Sequence, residues 1–267
     1  MKRSYDKEMM DLPGQPRELL EGDLDNLRFF NRRLGGYRSV LAGLEQLTRK
    51  QKLDCFSLLD VGTGGGDVPI RIADWAHQRG IKASIVALDP ESVTVRFAAQ
   101  KINPTFIPQT LQSTVIPAKV CPEHGQRAGI QQGEQEDSRH CGISVVRGDG
   151  FNPPFRPASF DVVLASQLLH HFSEDQIVVL LQTWSKLARK AIIVSDLVRH
   201  PVPYYGIRLI AKAYTRNLMT RTDAPLSVRR AFTQGEWRQL FRRAEVGRFE
   251  TFSAFPFRIT ALFSLAG

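Results

Sequence analysis

Hydrophobic positions in this chain come in short blocks whose period switches between that of a helix and that of a buried strand. From residue 18 to 48, Leu19, Leu20, Leu24, Leu27, Phe30, Leu34, Val40, Leu41 and Leu44 recur at near-helical spacing, and Gly35-Gly36 is placed to divide the stretch in two. A continuous apolar run, Phe56-Ser57-Leu58-Leu59, then closes on Asp60 and a glycine cluster, as a strand buried on both faces does. Residues 68–78 return to the helical period, with Gly80 where a helix C-terminus favours it. Ser84-Ile85-Val86-Ala87-Leu88 reads as a second buried strand ending at Asp89-Pro90, followed by a helix over 91–101. Strand, glycine turn, helix, strand is a βαβ unit, and its right-handed crossover makes the sheet parallel.

Residues 103–142 break this rhythm with Pro104, Pro108, Pro117, Pro122 and a long polar tract, and read as a flexible surface insertion. Alternation then resumes, with strands over 143–146, 160–165 and 191–195 and a helix over 174–190. Thr233-Gln234-Gly235-Glu236 has the form of a capping box and opens a helix through Trp237, Leu240 and Phe241. Residues 247–265 alternate as two closing strands. Between them, 197–230 predicts a helix started by Pro201 and Pro203, with Tyr204, Tyr205, Ile207, Leu209, Ile210, Tyr214 and Leu218 on an apolar, aromatic face. The pattern specifies an α/β fold with a doubly wound, mostly parallel sheet. A helical cap over 1–50 precedes a ligand-binding domain over 51–267, and 197–230 is expected to act as a lid over an apolar pocket.

Composition narrows the picture. At 267 residues and 42% hydrophobic, the chain suits one α/β domain with short additions. It has no apolar run long enough to span a bilayer, and its N-terminus is charged throughout, so a soluble, cytoplasmic protein is expected. Cys55, Cys121 and Cys141 are too few and scattered for a disulfide framework, and Cys55 reads as a small buried hydrophobe. Cys121, His124, His140 and Cys141 have mismatched spacings for zinc, so no metal site is expected. The net charge of +9 invites a nucleic-acid reading, but the basic residues are dispersed. Their densest groups, Arg229-Arg230 with Arg238 and Arg242-Arg243, read as the solvated face of one helix.

The segment Leu58-Leu59-Asp60-Val61-Gly62-Thr63-Gly64-Gly65-Gly66-Asp67 carries the most specific chemistry. Its glycines allow a tight turn and close approach of a ligand to the main chain. The spacing is G-x-G-x-G, and Asp67 stands where a dinucleotide fingerprint places its third glycine. Asp60 would face a pyrophosphate across low dielectric, at a cost, whereas a cationic ligand is favoured. Asp89 ends the next strand, placed for both hydroxyls of a ribose, and Asp149 lies in Arg147-Gly148-Asp149-Gly150 after the third.

LLDVGTGGGD, VALDP, RGDG and FDVVLASQLLHHF, in this order and spacing, resemble the class I S-adenosylmethionine-dependent methyltransferases, nearest to the small-molecule branch acting on quinones, polyketides and phenols. The resemblance covers about residues 55–200. It implies a Rossmann-like seven-stranded sheet with its last strand antiparallel and S-adenosyl-L-methionine as cofactor. By the same likeness Gly62, Gly64 and Gly66 line the methionine part, Asp89 holds the ribose, Asp149 the adenine edge, and Asp60 assists near the amino group. Thr63, Pro90, Gly150 and Ser166 complete the donor set.

Asn152-Pro153-Pro154-Phe155 matches the tetrapeptide of adenine-N6 methyltransferases, but it precedes the fourth strand, whereas theirs follows it. Ser166, Gln167, His170 and His171 do follow that strand and should face the crevice at the carboxyl ends. Methyl transfer mainly needs alignment and exclusion of water, and a hydroxyl acceptor is helped by a base. His170 and His171 are the candidate bases, with Gln167, Tyr204, Tyr205 and Arg208 as acceptor contacts; Arg199 and His200 could hold an acidic acceptor or be solvated. The expected reaction is O- or C-methylation of a small apolar or aromatic acceptor. An RNA or protein methyltransferase, a non-catalytic nucleotide-binding module and a nicotinamide oxidoreductase are the competing classes.

Overall fold

The computed structural model describes residues 1–103, 142–254 and 256–265. In chain order come α1 (Arg17–Arg33), α2 (Gly36–Gln51), β1 (Cys55–Val61), α3 (Asp67–Gln78), β2 (Lys82–Asp89), α4 (Ser92–Ile102), β3 (Gly142–Arg147), β4 (Phe160–Ser166), α5 (Glu174–Leu187), β5 (Ala188–Leu197), α6 (Pro201–Tyr214), α7 (Leu218–Arg230), α8 (Gln234–Ala244), β6 (Arg248–Ala254) and β7 (Arg258–Ser264). One mixed seven-stranded sheet holds them in the order β3-β2-β1-β4-β5-β7-β6. The first five strands are parallel, and β7 is antiparallel to both neighbours. The link between β6 and β7 is too short for a crossover, so β7 must reverse direction.

Successive residues of a strand point to opposite faces, and each strand divides its side chains accordingly. Phe56, Leu58, Val162, Leu164, Ala191 and Ile193 pack against α2 and α3 through Leu44, Leu47, Ile72 and Trp75. Leu59, Val61, Val163, Ala165, Ile192 and Val194 pack on the other face against α5 and α8 through Leu181, Trp184, Trp237 and Phe241. Thr233 caps α8 in the predicted capping box, and Ser173 caps α5 in a second. Gly35 divides α1 from α2 in the left-handed conformation (φ 78°).

Several sequence expectations are corrected. Residues 197–230 form two helices, because Thr215 is extended and Asn217 starts α7 by accepting the Thr220 N–H. The strand expected at 191–195 extends over Ala188–Leu197, shortening the helix before it. Arg230 is not on a solvated face: it is 6% exposed, because its guanidinium turns inward to backbone carbonyls. Cys55 is half-buried rather than fully enclosed. The insertion expected at 103–142, and with it Cys121, His124, His140 and Cys141, falls almost wholly outside the described residues. No helix among the described residues is long and apolar enough to cross a membrane.

Candidate active site

Strand order reverses at β1, which pairs with β2 on one side and β4 on the other. The loops leaving β1 and β4 diverge there and open a crevice at their carboxyl ends. A cavity of about 320 Å³ occupies it, lined by the glycine loop, by Ser166 at the end of β4 and Gln167 just after it, and by α1, α6 and α7.

The glycine loop forms one wall. Gly62, Gly64 and Gly66 all have positive φ (69°, 54° and 72°). At Gly62 the requirement is doubled, since a Cβ would come within 2.6 Å of the Leu168 side chain. Asp60 is 1% exposed and accepts a hydrogen bond from the Thr63 hydroxyl at 2.7 Å. Burial pushes its carboxyl up to about 7, and the nearby carboxylates of Asp67 and Asp89 add to the rise. Asp89 Oδ2 accepts the Gly64 N–H at 3.1 Å and Oδ1 accepts the Glu91 N–H at 3.0 Å, which ties the end of β2 to the loop. Burial raises this carboxyl to about 6.

Asp60, Gly62, Thr63, Gly64 and Ser166 line the cavity itself. Gly66, Asp89, Pro90, Asp149 and Gly150 are not among its lining residues. Gly66 precedes α3 and backs onto Ala98 of α4, and the Pro90 carbonyl accepts from Arg147 Nε. Asp149 is exposed and accepts the Phe151 N–H at 2.9 Å, closing a local turn, while the Gly150 carbonyl accepts from Trp184 Nε1. Phe155, from the tetrapeptide before β4, stacks edge-on against Phe160.

The other walls are apolar, from Leu24, Leu27 and Phe30 of α1, Val202, Ile207 and Ile210 of α6, and Val228 of α7. Of the expected acceptor contacts, Gln167 lines the cavity. It holds a positive φ (53°), and its side-chain amide donates to Asn31 of α1, which in turn donates to Asp67 at 3.0 Å. Tyr204, Tyr205 and Arg208 lie on α6 but do not line the cavity, and Tyr205 is 64% exposed on the outer face. Arg199 is buried and bonded to Glu236, and His200 caps α6, so neither faces an acceptor.

At the polar end stand His170 and His171. His170 is buried, with Nδ1 2.7 Å from Asp196 Oδ1. His171 Nδ1 lies 2.9 Å from Asp11 Oδ2. Both second nitrogens turn toward Glu8: His170 Nε2 is 3.6 Å from Oε1 and His171 Nε2 is 3.9 Å from Oε2. Burial drives the Glu8 carboxyl up to about 7, against the opposing pull of His171, Ser227 and Arg230. Burial acts to raise Asp196, but the His170 ring, the Leu197 N–H and His171 together outweigh it and hold that carboxyl below the ordinary range. Arg258 lines the cavity too; its Nε donates to the Leu34 carbonyl at 3.0 Å, and its buried Nη1 has no hydrogen-bond partner.

Glu8, Asp11, Asp196 and Arg258 are absent from the sequence expectations, and Arg230 enters them only as part of a solvated face. Asp196 carried a usable signal, as an acid near the end of a buried strand like Asp60 and Asp89. Glu8 and Asp11 carried none, being two acids in a charged segment. Asp223 positions them by accepting the N–H groups of Met9 and Met10 at 2.9 and 3.0 Å, contacts that span 214 and 213 residues of sequence.

Residues 106–193 match a family model described as Methyltransferase domain; the match begins after the glycine loop and Asp89 and runs into β5. No protein of curated function matches the chain by sequence. Among solved structures, human N-acetylserotonin methyltransferase in complex with S-adenosylmethionine is 17% identical with a TM-score of 0.54, over 100% of this chain and 63% of that one. Magnesium protoporphyrin IX methyltransferase from Synechocystis PCC 6803, with bound S-adenosylhomocysteine, is 14% identical with a TM-score of 0.52, over 88% of this chain and 85% of that one. Residues 106–193 thus resemble a methyltransferase domain, and the chain shares the fold of these two enzymes.

Proposed function

We propose that the chain transfers the methyl group of S-adenosylmethionine to a small apolar or aromatic acceptor, at oxygen or carbon. One observation carries this reading: a single cavity joins the acid-backed glycine loop to apolar helix walls and a histidine pair. The donor suits the glycine wall, where a cation meets Asp60 with Asp89 tied behind it, and the main chain at Gly64 is approached only by Leu24, at 3.8 Å from where a Cβ would stand. S-Adenosylmethionine supplies a methyl group already activated on a sulfonium, so the protein has mainly to bind, align and exclude water. In this reading Asp60, Gly62, Thr63, Gly64, Gly66 and Ser166 hold the methionine part, Asp89 and Pro90 the ribose side, and Asp149 and Gly150 the adenine.

Leu27, Phe30, Ile207, Ile210 and Val228 would enclose the acceptor, with α6 and α7 as the lid over it. Gln167 fixes its polar end. His170 or His171 takes the proton of an acceptor hydroxyl while that oxygen attacks the methyl carbon and the carbon–sulfur bond breaks onto sulfur. A cavity of about 320 Å³ closed by three helices favours a small molecule over RNA or protein.

Calorimetric titration with S-adenosylhomocysteine, repeated on Asp89→Ala, tests the donor site. Micromolar binding weakened at least tenfold by the substitution is expected; no heat and no thermal shift in the parent protein would overturn the reading. Replacing His170 or His171 by Gln should lower turnover by ~10²-fold or more with donor affinity little changed. Unchanged turnover in both variants excludes a base at this position.

A further inference from the structure

The same polar end of the cavity has the construction of a metal site. We infer that Glu8, His170 and His171 bind a first-row divalent cation through one carboxylate oxygen and two imidazole nitrogens, with an open position toward the cavity. The inference rests on the methyltransferase reading for its purpose, though not for its geometry.

Three observations carry it. The donor atoms of Glu8, His170 and His171 all lie within 4.8 Å of one another; His170 Nε2 stands 3.6 Å from Glu8 Oε1 and His171 Nε2 3.9 Å from Glu8 Oε2. Ligands about 2.1 Å from a tetrahedral ion stand about 3.4 Å apart, so separations between 3.6 and 4.8 Å would have to shorten by about 0.2 to 1.4 Å to close the site. Next, each imidazole gives its Nδ1 to a carboxylate, His170 to Asp196 at 2.7 Å and His171 to Asp11 at 2.9 Å. An ionised carboxylate only accepts, so the proton sits on Nδ1, and each Nε2 of a neutral ring keeps a lone pair for a metal. Carboxylates behind both rings are the usual support of metal-ligating histidines. Finally, His170 Nε2 and Glu8 Oε1 are buried without a hydrogen-bond partner. Buried polar atoms are rarely left so.

Arg230 does not fill that need. Its Nε stands 3.7 Å from Glu8 Oε1, but its N–H groups go to the carbonyls of Asp6, His170 and His171 and to Asp11. The Ser227 hydroxyl occupies the other Glu8 oxygen, at 2.9 Å. A nitrogen-rich donor set with one carboxylate suits zinc, cobalt, iron or manganese rather than magnesium or calcium. All three ligands line the cavity. A cation there would hold the acceptor's oxygen and make its hydroxyl proton easier to lose to water, leaving that oxygen with the lone pair that attacks the methyl carbon; it would take the place of the histidine base, since a ligating Nε2 cannot also accept a proton.

The test uses the full chain, stripped with chelator and titrated with Co²⁺, read by calorimetry and by visible absorption. The proposal expects one strong site whose d–d spectrum shows nitrogen and oxygen ligation, lost or weakened at least tenfold in Glu8→Gln and His171→Gln. Asp11→Asn should weaken it by about 10- to 100-fold, as removal of the group behind a ligand does. Retained S-adenosylhomocysteine binding shows that each variant is folded, and His171→Gln serves where the buried Glu8→Gln does not fold. Co²⁺ affinity equal in the parent and in the folded variants, or a thiolate charge-transfer spectrum alone, overturns the proposal. A parent that binds S-adenosylhomocysteine but no Co²⁺ sinks the metal and leaves the methyltransferase reading intact; the converse sinks that reading and leaves the metal.

Discussion

His170 Nδ1 lies 2.7 Å from Asp196 Oδ1, and the same carboxylate accepts the backbone N–H groups of Leu169, His170 and Leu197. One side chain thus fixes both the tautomer of the ring and the turn that presents it. In Asp196→Asn a single acceptor oxygen replaces two, leaving at least one buried donor unpaired at about 1–3 kcal/mol. We expect a lower melting temperature and turnover reduced at least tenfold, with S-adenosylhomocysteine affinity within twofold of the parent. A lower melting temperature with normal turnover would show that the contact is structural alone.

Donor affinity should depend on pH through Asp60 and Asp89. Their carboxyls stand at about 7 and about 6 where 3.8 is ordinary, chiefly because they are buried. Below these values the pocket wall is neutral, and above them it carries the charge that favours the ligand's ammonium. S-Adenosylhomocysteine should therefore bind more tightly as pH rises from about 5.5 to 8, by up to tenfold per unit for one displaced proton.

The stability of the ligand-free protein should move the opposite way. With raised pKa values the folded state binds more protons than the unfolded one between about pH 4 and 7, so these two groups' contribution falls as pH rises through that window. Asp60→Asn should flatten both profiles, raising the melting temperature near pH 8 while weakening the ligand. Matched thermal and calorimetric scans of the two proteins decide it; parallel profiles would remove Asp60 from the account.

The glycines of the loop should differ in their tolerance of a methyl group. At Gly62 a Cβ meets Leu168 at 2.6 Å as well as a φ of 69°, whereas at Gly64 its nearest neighbour is Leu24, at 3.8 Å. Gly62→Ala should lose about 1–3 kcal/mol in denaturant unfolding, and Gly64→Ala less. Gly64→Ala should instead act on the ligand, since its methyl projects from a wall of the cavity.

Gly206 offers a way to close the acceptor end alone. It lines the cavity from within α6, and a Cβ there meets nothing within 4 Å. Leucine at this position gains about 1 kcal/mol of helix propensity while projecting an isobutyl group from the wall. Gly206→Leu should leave S-adenosylhomocysteine binding unchanged and raise KM at least tenfold for whichever compound of an aromatic hydroxyl panel is methylated. An unaltered KM would place the acceptor elsewhere.

The local pattern is enough to read the sheet and the glycine loop, because both depend on short-range rules. Continuous apolar runs such as 56–59 and 160–165 require burial on both faces, and a parallel sheet covered by helices supplies it. Gly62, Gly64 and Gly66 occur where backbone conformations closed to other residues are needed, so their spacing was legible without coordinates. Thr233 and Glu236 announced α8 for the same reason.

Tertiary structure decided which polar residues meet. Periodicity groups Tyr205 and Leu209 with Ile207 and Ile210 on one apolar face of α6, but it cannot say that the first two point outward while the last two, with Val202 and Gly206, turn to the cavity. Glu8 and Asp11 reach His170 and His171 across some 160 residues of sequence, held by Asp223 and Arg230 of α7. Contacts of that range leave no trace in local spacing. They exist because folding brings the N-terminal segment over the ends of β4 and β5, where buried carboxylates and imidazoles must find each other or remain unpaired.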